Sequence, residues 1–228
     1  MPPSNNDYLK KFLALPYVSQ PPVGSPPQVW AKHVKATILD SLPTTQLSRS
    51  ALRRFCMESN SIESCFIAIM AWGAMGTKNG RLVWKARENW SSISEKLRAE
   101  NPTRKDAFDE FTSLRDRQKL PGMRAPYFTK LIFFLRPKDD GYIMDRWTAK
   151  SVNAIFEKII VKRNTGGWVT DENDSTDYER FCMCIDELAA IYSQRGISRQ
   201  DFPNGFRGDQ VEELIFSKPR SEWRKLLG

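Results

Sequence analysis

The sequence predicts an all-α fold, on three observations. Apolar residues recur at three- and four-residue intervals over most of the chain beyond residue 29, alternating strand patterns are few, and no internal repeat occurs. With 228 residues, 40% apolar and 27% charged, the composition suits a globular chain of one compact domain or two small ones. No apolar run approaches the roughly 18 residues of a membrane-spanning helix. The opening Met1-Pro2-Pro3-Ser4-Asn5-Asn6-Asp7 lacks the basic and apolar stretches of a secretory signal, so a cytoplasmic protein is expected, nucleoid-associated if bacterial.

Taken in order, residues 1–29 hold Pro2, Pro3, Pro16, Pro21, Pro22, Pro26 and Pro27 and are expected to form an extended arm with one short helix over 8–15. A helical domain is expected over 30–228. Helical spacing predicts helices over 29–39 and 48–58, the second with Leu52, Phe55 and Cys56 on one side. Residues 61–74 are apolar all round, as a central buried helix would be. Gly76, Asn79 and Gly80 then mark a loop over 76–80. Helices are predicted again over 81–99 and 105–115, followed by a tight turn at Leu120-Pro121-Gly122-Met123 and an apolar helix over 125–135. A turn-rich loop spans 136–141, a helix 145–161, a loop 164–174, a long helix 176–195 and a short one 210–216, ahead of a basic tail. Nine or ten helices are expected in all.

Charge is unevenly spread. Residues 78–163 hold 20 basic and 11 acidic side chains, a net of +9, against +8 for the whole chain. Residues 164–228, with 8 basic and 12 acidic, are net negative. A focused positive field attracts polyanions, nucleic acid first among them, although a solubilising excess of lysine gives the same count. His33 is the sole histidine, which confines any histidine-dependent catalysis to that position, where a surface or packed imidazole is the commoner reading, and removes clusters of several histidines, so chemistry is expected to fall to carboxylates, lysines or bound cations. Cys56, Cys65, Cys182 and Cys184 lack the paired Cys-x-x-Cys halves of a zinc site, and no metal site is expected.

The most informative stretch runs over 105–135 and reads as helix, glycine-containing hairpin, helix. Gly122 can take a backbone conformation closed to other residues and lets a partner approach closely. The amides of Met123, Arg124 and Ala125 are expected to point out of the start of the next helix, where free N–H groups suit phosphate. Contacts of that kind hold a protein on a DNA backbone without reading sequence. The segment 142–150 opens Tyr142-Ile143-Met144-Asp145-Arg146-Trp147, with Asp145 twenty-three residues beyond Gly122. An acid between an apolar segment and a new helix sits at the N-cap, where amides favour its ionised form. By itself this is also what a plain helix cap looks like.

Leu120-Pro121-Gly122, an apolar helix and an apolar-Asp helix start together resemble the helix-hairpin-helix DNA glycosylases, closest to their 8-oxoguanine DNA glycosylase-like branch. The resemblance spans about 48–216 and is strongest over 108–147. It implies a two-lobed helical fold, Asp145 as the catalytic aspartate, and Gly122, Met123, Arg124 and Ala125 as the DNA-backbone contacts. The lysine nucleophile of the family's bifunctional members falls four residues after the hairpin glycine, where this chain has Pro126. Lys130 lies one helical turn further on the same face and is the candidate amine, which leaves the lyase step open beside a phosphate-contacting or surface role. Phe128, Leu131, Phe133 and Phe134 would desolvate it, as an amine nucleophile requires.

By the same resemblance Asn79 would fill the stack vacated by a flipped base and Arg81 would pair with the orphaned partner, while an ordinary glycine-rich turn fits the same residues. Trp147 and Trp168 are candidates for the base pocket. No cofactor is called for; a monovalent cation on hairpin carbonyls is the one ion the resemblance admits. The partner implied is double-stranded DNA holding a modified base, with no membrane and a monomeric protein. The implied activity is N-glycosidic cleavage of a flipped base, either an oxidised purine in repair or a hypermodified phage base such as a glucosylated cytosine in antiviral defence. A non-enzymatic helix-hairpin-helix DNA-binding module is the alternative.

Overall fold

A computed structural model describes residues 6–15, 21–58, 61–138, 140–194, 205–216 and 220–227. Within them the chain forms twelve helices and no strand, with two isolated β-bridges, Val23 to Leu47 and Arg163 to Val169. The all-α expectation holds. The chain divides into two compact units, residues 21–138 and residues 1–20 with 139–228.

The continuous unit holds α2 (Pro27–Val34), α3 (Arg49–Met57), α4 (Ile62–Trp72), α5 (Thr77–Lys85), α6 (Arg87–Ala99), α7 (Arg104–Asp116) and α8 (Ala125–Leu135). Ser48, Ser61 and Thr103 start α3, α4 and α7 by accepting the amides of Ala51, Ser64 and Asp106. As expected for a helix apolar on every side, α4 is buried at every residue but Glu63, and α8 is buried from Phe128 to Leu135. α4 packs with α2, α3, α6 and α8, and α8 with α3, α6 and α7. Phe66 of α4 stacks on Trp90 of α6 at 3.9 Å, Trp72 meets Phe134 of α8 edge-on at 5.1 Å, and Phe111 stacks on Phe128 at 5.3 Å. Each such ring removed from water contributes about 1.5–3 kcal/mol, so α4 and α8 are the frame of this unit. The end of α8 is held as well: the Arg53 guanidinium donates to the carbonyls of Phe133, Arg136 and Pro137.

The discontinuous unit is built on α9 (Arg146–Phe156), against which α1 (Asp7–Leu13), α10 (Ser175–Gln194), α11 (Gly208–Phe216) and α12 (Arg220–Leu227) all pack. Phe12 is fully buried, 5.7 Å from Tyr192 and 5.2 Å from Trp223, and Tyr192 donates to the Phe12 carbonyl. The Trp223 indole donates to Ser151 Oγ at 2.9 Å. Cys182 and Cys184 lie buried on α10, neither of them in a disulfide.

Several elements differ from expectation. The short helix expected over 8–15 is present as α1, but it packs into the discontinuous unit, because Leu9, Phe12 and Leu13 give it an apolar face, and α2 already begins at Pro27. Pro2, Pro3 and Pro16 lie outside the described residues. α2 stops at Val34 rather than 39, where Lys35 turns left-handed (φ 61°). Residues 76–80 are not a loop. Gly76 caps α5, Asn79 lies in its first turn, and Gly80 faces Trp30, where a Cβ would stand 2.7 Å from the indole. Gly80 thus serves close helix packing rather than a turn. The stretch 81–99 is split at Ala86, which ends α5 and starts α6. α9 ends at Phe156, not 161, through a left-handed Glu157 (φ 50°). The residues expected as a basic tail include the helix α12, whose Trp223 is buried.

Candidate functional site

In the continuous unit, α7 and α8 with the turn between them form the expected helix-hairpin-helix. Gly122 has φ +83°, a conformation costly for any residue with a Cβ, and the Met123 amide donates to the Leu120 carbonyl at 3.2 Å. That bond corrects one expectation: the Met123 amide closes the turn and does not point outward. Arg124, exposed and extended (φ −108°, ψ 170°), occupies the N-cap of α8, and no side chain caps the helix start. Pro126 follows in the first turn, where its missing N–H costs nothing.

Asn79 stands against the hairpin. A Cβ on Gly122 would lie 3.3 Å from Asn79 Cβ, so the first turn of α5 and the hairpin turn touch. Asn79 is exposed there, and Arg81 donates from Nε to the His33 carbonyl at 2.9 Å, tethering it to the end of α2.

Lys130 is 6% exposed, unusual for an amine. Helical side chains lean toward the N-terminus, and Lys130 follows this rule, its Nζ donating to the Pro126 carbonyl at 2.5 Å. The ammonium therefore reaches back one turn, to the level of Pro126, and lies 5.5 Å from the Tyr127 ring centre. Its stem crosses Gly73 past the end of α4, where a Cβ would stand 2.8 Å from Lys130 Cδ. Burial and close packing thus fix this lysine in one conformation.

In the discontinuous unit, Asp145 is the N-cap of α9 in a complete capping box. Oδ1 accepts the amides of Trp147 (2.8 Å) and Thr148 (3.1 Å), while the Asp145 amide donates to Thr148 Oγ1 (2.9 Å). Thr148 donates in turn to the Ile143 carbonyl at 2.8 Å. Among the described residues every hydrogen bond to the carboxylate falls on Oδ1. The segment before Asp145 is fixed from two helices: buried Glu212 of α11 accepts the Ile143 amide (3.1 Å), and Tyr178 of α10 donates to the Tyr142 carbonyl (3.0 Å). The half-buried Asp145 is held on a rigid support, with one oxygen engaged and the other facing no bonding partner among those residues.

Trp147 and Trp168 meet through one guanidinium: Arg146 lies 5.1 Å from the first ring centre and 4.9 Å from the second. Trp147 also carries Lys150 (5.3 Å) and Arg224 (4.4 Å) against its ring, whereas Trp168 is 56% exposed. Of the two, Trp168 is the one with open surface for stacking. Sequence reasoning overlooked Arg146, Lys150 and Arg163. The first two stand four apart on α9, a signal that was readable; Arg163 joins them only because the following loop doubles back, which no local pattern announces.

The chain thus combines a helix-hairpin-helix with a capped aspartate on a separately built helix. The family model described as "Putative 8-oxoguanine DNA glycosylase OGG-like protein" matches residues 16–216, and the chain belongs to this family. Neither the curated proteins nor the solved structures compared with the chain contain a match.

Proposed function

We propose that this protein is a DNA glycosylase that removes a flipped, modified base, with Asp145 as the group that meets the sugar. The observation that carries the reading is the Asp145 box, which orients a carboxylate through Oδ1 alone within a family of glycosylase description. Cleavage of an N-glycosidic bond builds oxocarbenium-like positive charge on the deoxyribose, and a fixed carboxylate stabilises that charge without reorganising. The base must leave the stack to be reached, and the uncapped start of α8 with Gly122 offers phosphate contacts that hold the duplex during that step. Either water or the Lys130 amine attacks C1′. Water leaves an abasic site; the amine forms a Schiff base from which strand cleavage can follow. The buried, back-folded amine at the level of Pro126 supports the second route.

Oxidised guanine is the first substrate to test. The displacement of the lysine by one turn makes a hypermodified phage cytosine the second, with a defence role in place of repair. Duplexes containing 8-oxoguanine and phage DNA containing glucosylated cytosine, incubated with the protein and assayed by mass spectrometry, should yield one released base and matching abasic sites. Release from neither, with duplex binding intact, would favour a non-enzymatic DNA-binding module.

A further inference from the structure

The discontinuous unit gathers positive charge along one side of α9. Arg146 and Lys150 stand one turn apart on that helix, and Asn153 pins the following chain by accepting the amides of Ile160 and Val161 (both 3.0 Å). The loop then closes through Asn164, whose amide donates to the Trp168 carbonyl at 2.9 Å. This fold-back sets Arg163 beside Arg146 and Lys150 around a hollow of about 460 Å³, further walled by Asn153, Asn164 and Thr165. No carboxylate of the described residues lines it.

Arg146 Nε and Arg163 Nε are covered by the surrounding chain and meet no hydrogen-bond acceptor among the described residues. The cations also crowd one another: burial, then Arg146 and Arg163, hold the Lys150 amine below the ordinary lysine range, and burial, then Arg146, lowers Arg163. Like charges gathered in a concave place that no carboxylate of the described residues lines are what an anion would complete.

We propose that Arg146 and Arg163, with Lys150 as a third charge, form an oxyanion site for a phosphoryl group. Planar guanidinium forks match phosphate oxygens, and the exposed Trp168 at 4.9 Å helps hold the Arg146 plane. Arg146 directly follows Asp145, so the source favoured is a strand phosphodiester of the DNA; that choice of source rests on the glycosylase reading, while the oxyanion site does not. Free phosphate or a terminal phosphate offers the same chemistry.

The test uses the full chain and an unmodified duplex, so it reads out whether or not any base is ever excised. Duplex affinity is measured by anisotropy across a salt series for the native chain, Arg146→Gln, Arg163→Gln and Arg163→Lys, each checked by thermal unfolding. Each Gln variant should flatten the plot of log affinity against log salt by about 0.9, one phosphate contact, and Arg163→Lys should restore most of that slope. In parallel, orthophosphate should raise the Tm of the native chain and leave Arg163→Gln unmoved. Unchanged slopes with an orthophosphate effect lost in the variants would keep the oxyanion site and overturn the strand source. Unchanged slopes with no orthophosphate effect would overturn the site.

Discussion

The starts of α8 and α9 pose the same electrostatic problem and answer it in opposite ways. Both present unpaired amides and a positive dipole end. At α8 no side chain caps the amides, so the position is open to an anion from outside. At α9 the protein supplies its own anion, Asp145, and locks it with Thr148. One start is left without a side-chain cap and the other carries its own carboxylate. Charge follows a similar division: residues 21–138 hold 20 basic and 10 acidic side chains, the remainder 15 and 17. The first unit is net positive as a whole, whereas the second gathers positive charge locally around Arg146.

The sharpest way to break this contrast is Asp145→Asn. Asparagine caps a helix as well as aspartate does, so Tm and duplex binding should hold while excision falls about a hundredfold to ten-thousandfold, read as released base. Full excision by this variant would reduce Asp145 to a cap. Lys130→Gln comes next: borohydride-trapped protein–DNA adducts formed by the native chain should vanish, and a native chain that forms none assigns the attack to water. Gly122→Ala attacks the α8 side of the comparison. Its φ of +83° is unfavourable for alanine, so denaturant unfolding should show a loss of about 1–2 kcal/mol, with weaker binding to any duplex. The smallest effect is expected from Thr148→Val, about 1 kcal/mol for the lost half of the box, with excision reduced less than by Asp145→Asn.

Much of this was legible in the sequence because it is local. The apolar run 125–135 gives α8 its observed bounds, and Ser48, Ser61 and Asp145 mark helix starts through their own side chains. The glycines around 76–80 misled because a glycine placed for a turn and one placed under an indole look alike in sequence; Trp30, fifty residues from Gly80, decides which it is. The proline content of 1–29 suggested an extended arm around one short helix, while the partners that hold α1, Tyr192 and Trp223, lie far along the chain. Arg163 joined the basic group through Asn153, a side-chain contact that periodicity does not register.

The Asn6 side chain donates to the carbonyls of Ala154 and Ile155, closing the far end of the helix that Asp145 opens. The support of the Asp145 carboxylate is therefore assembled from segments on either side of residues 21–138, with the other unit encoded between them. During synthesis α1 emerges ahead of residues 21–138 and must wait for α9, Tyr192 and Trp223 before it can pack. Maturation of the carboxylate's platform then becomes a late event, and removing the first fifteen residues should loosen it while leaving the hairpin unit folded.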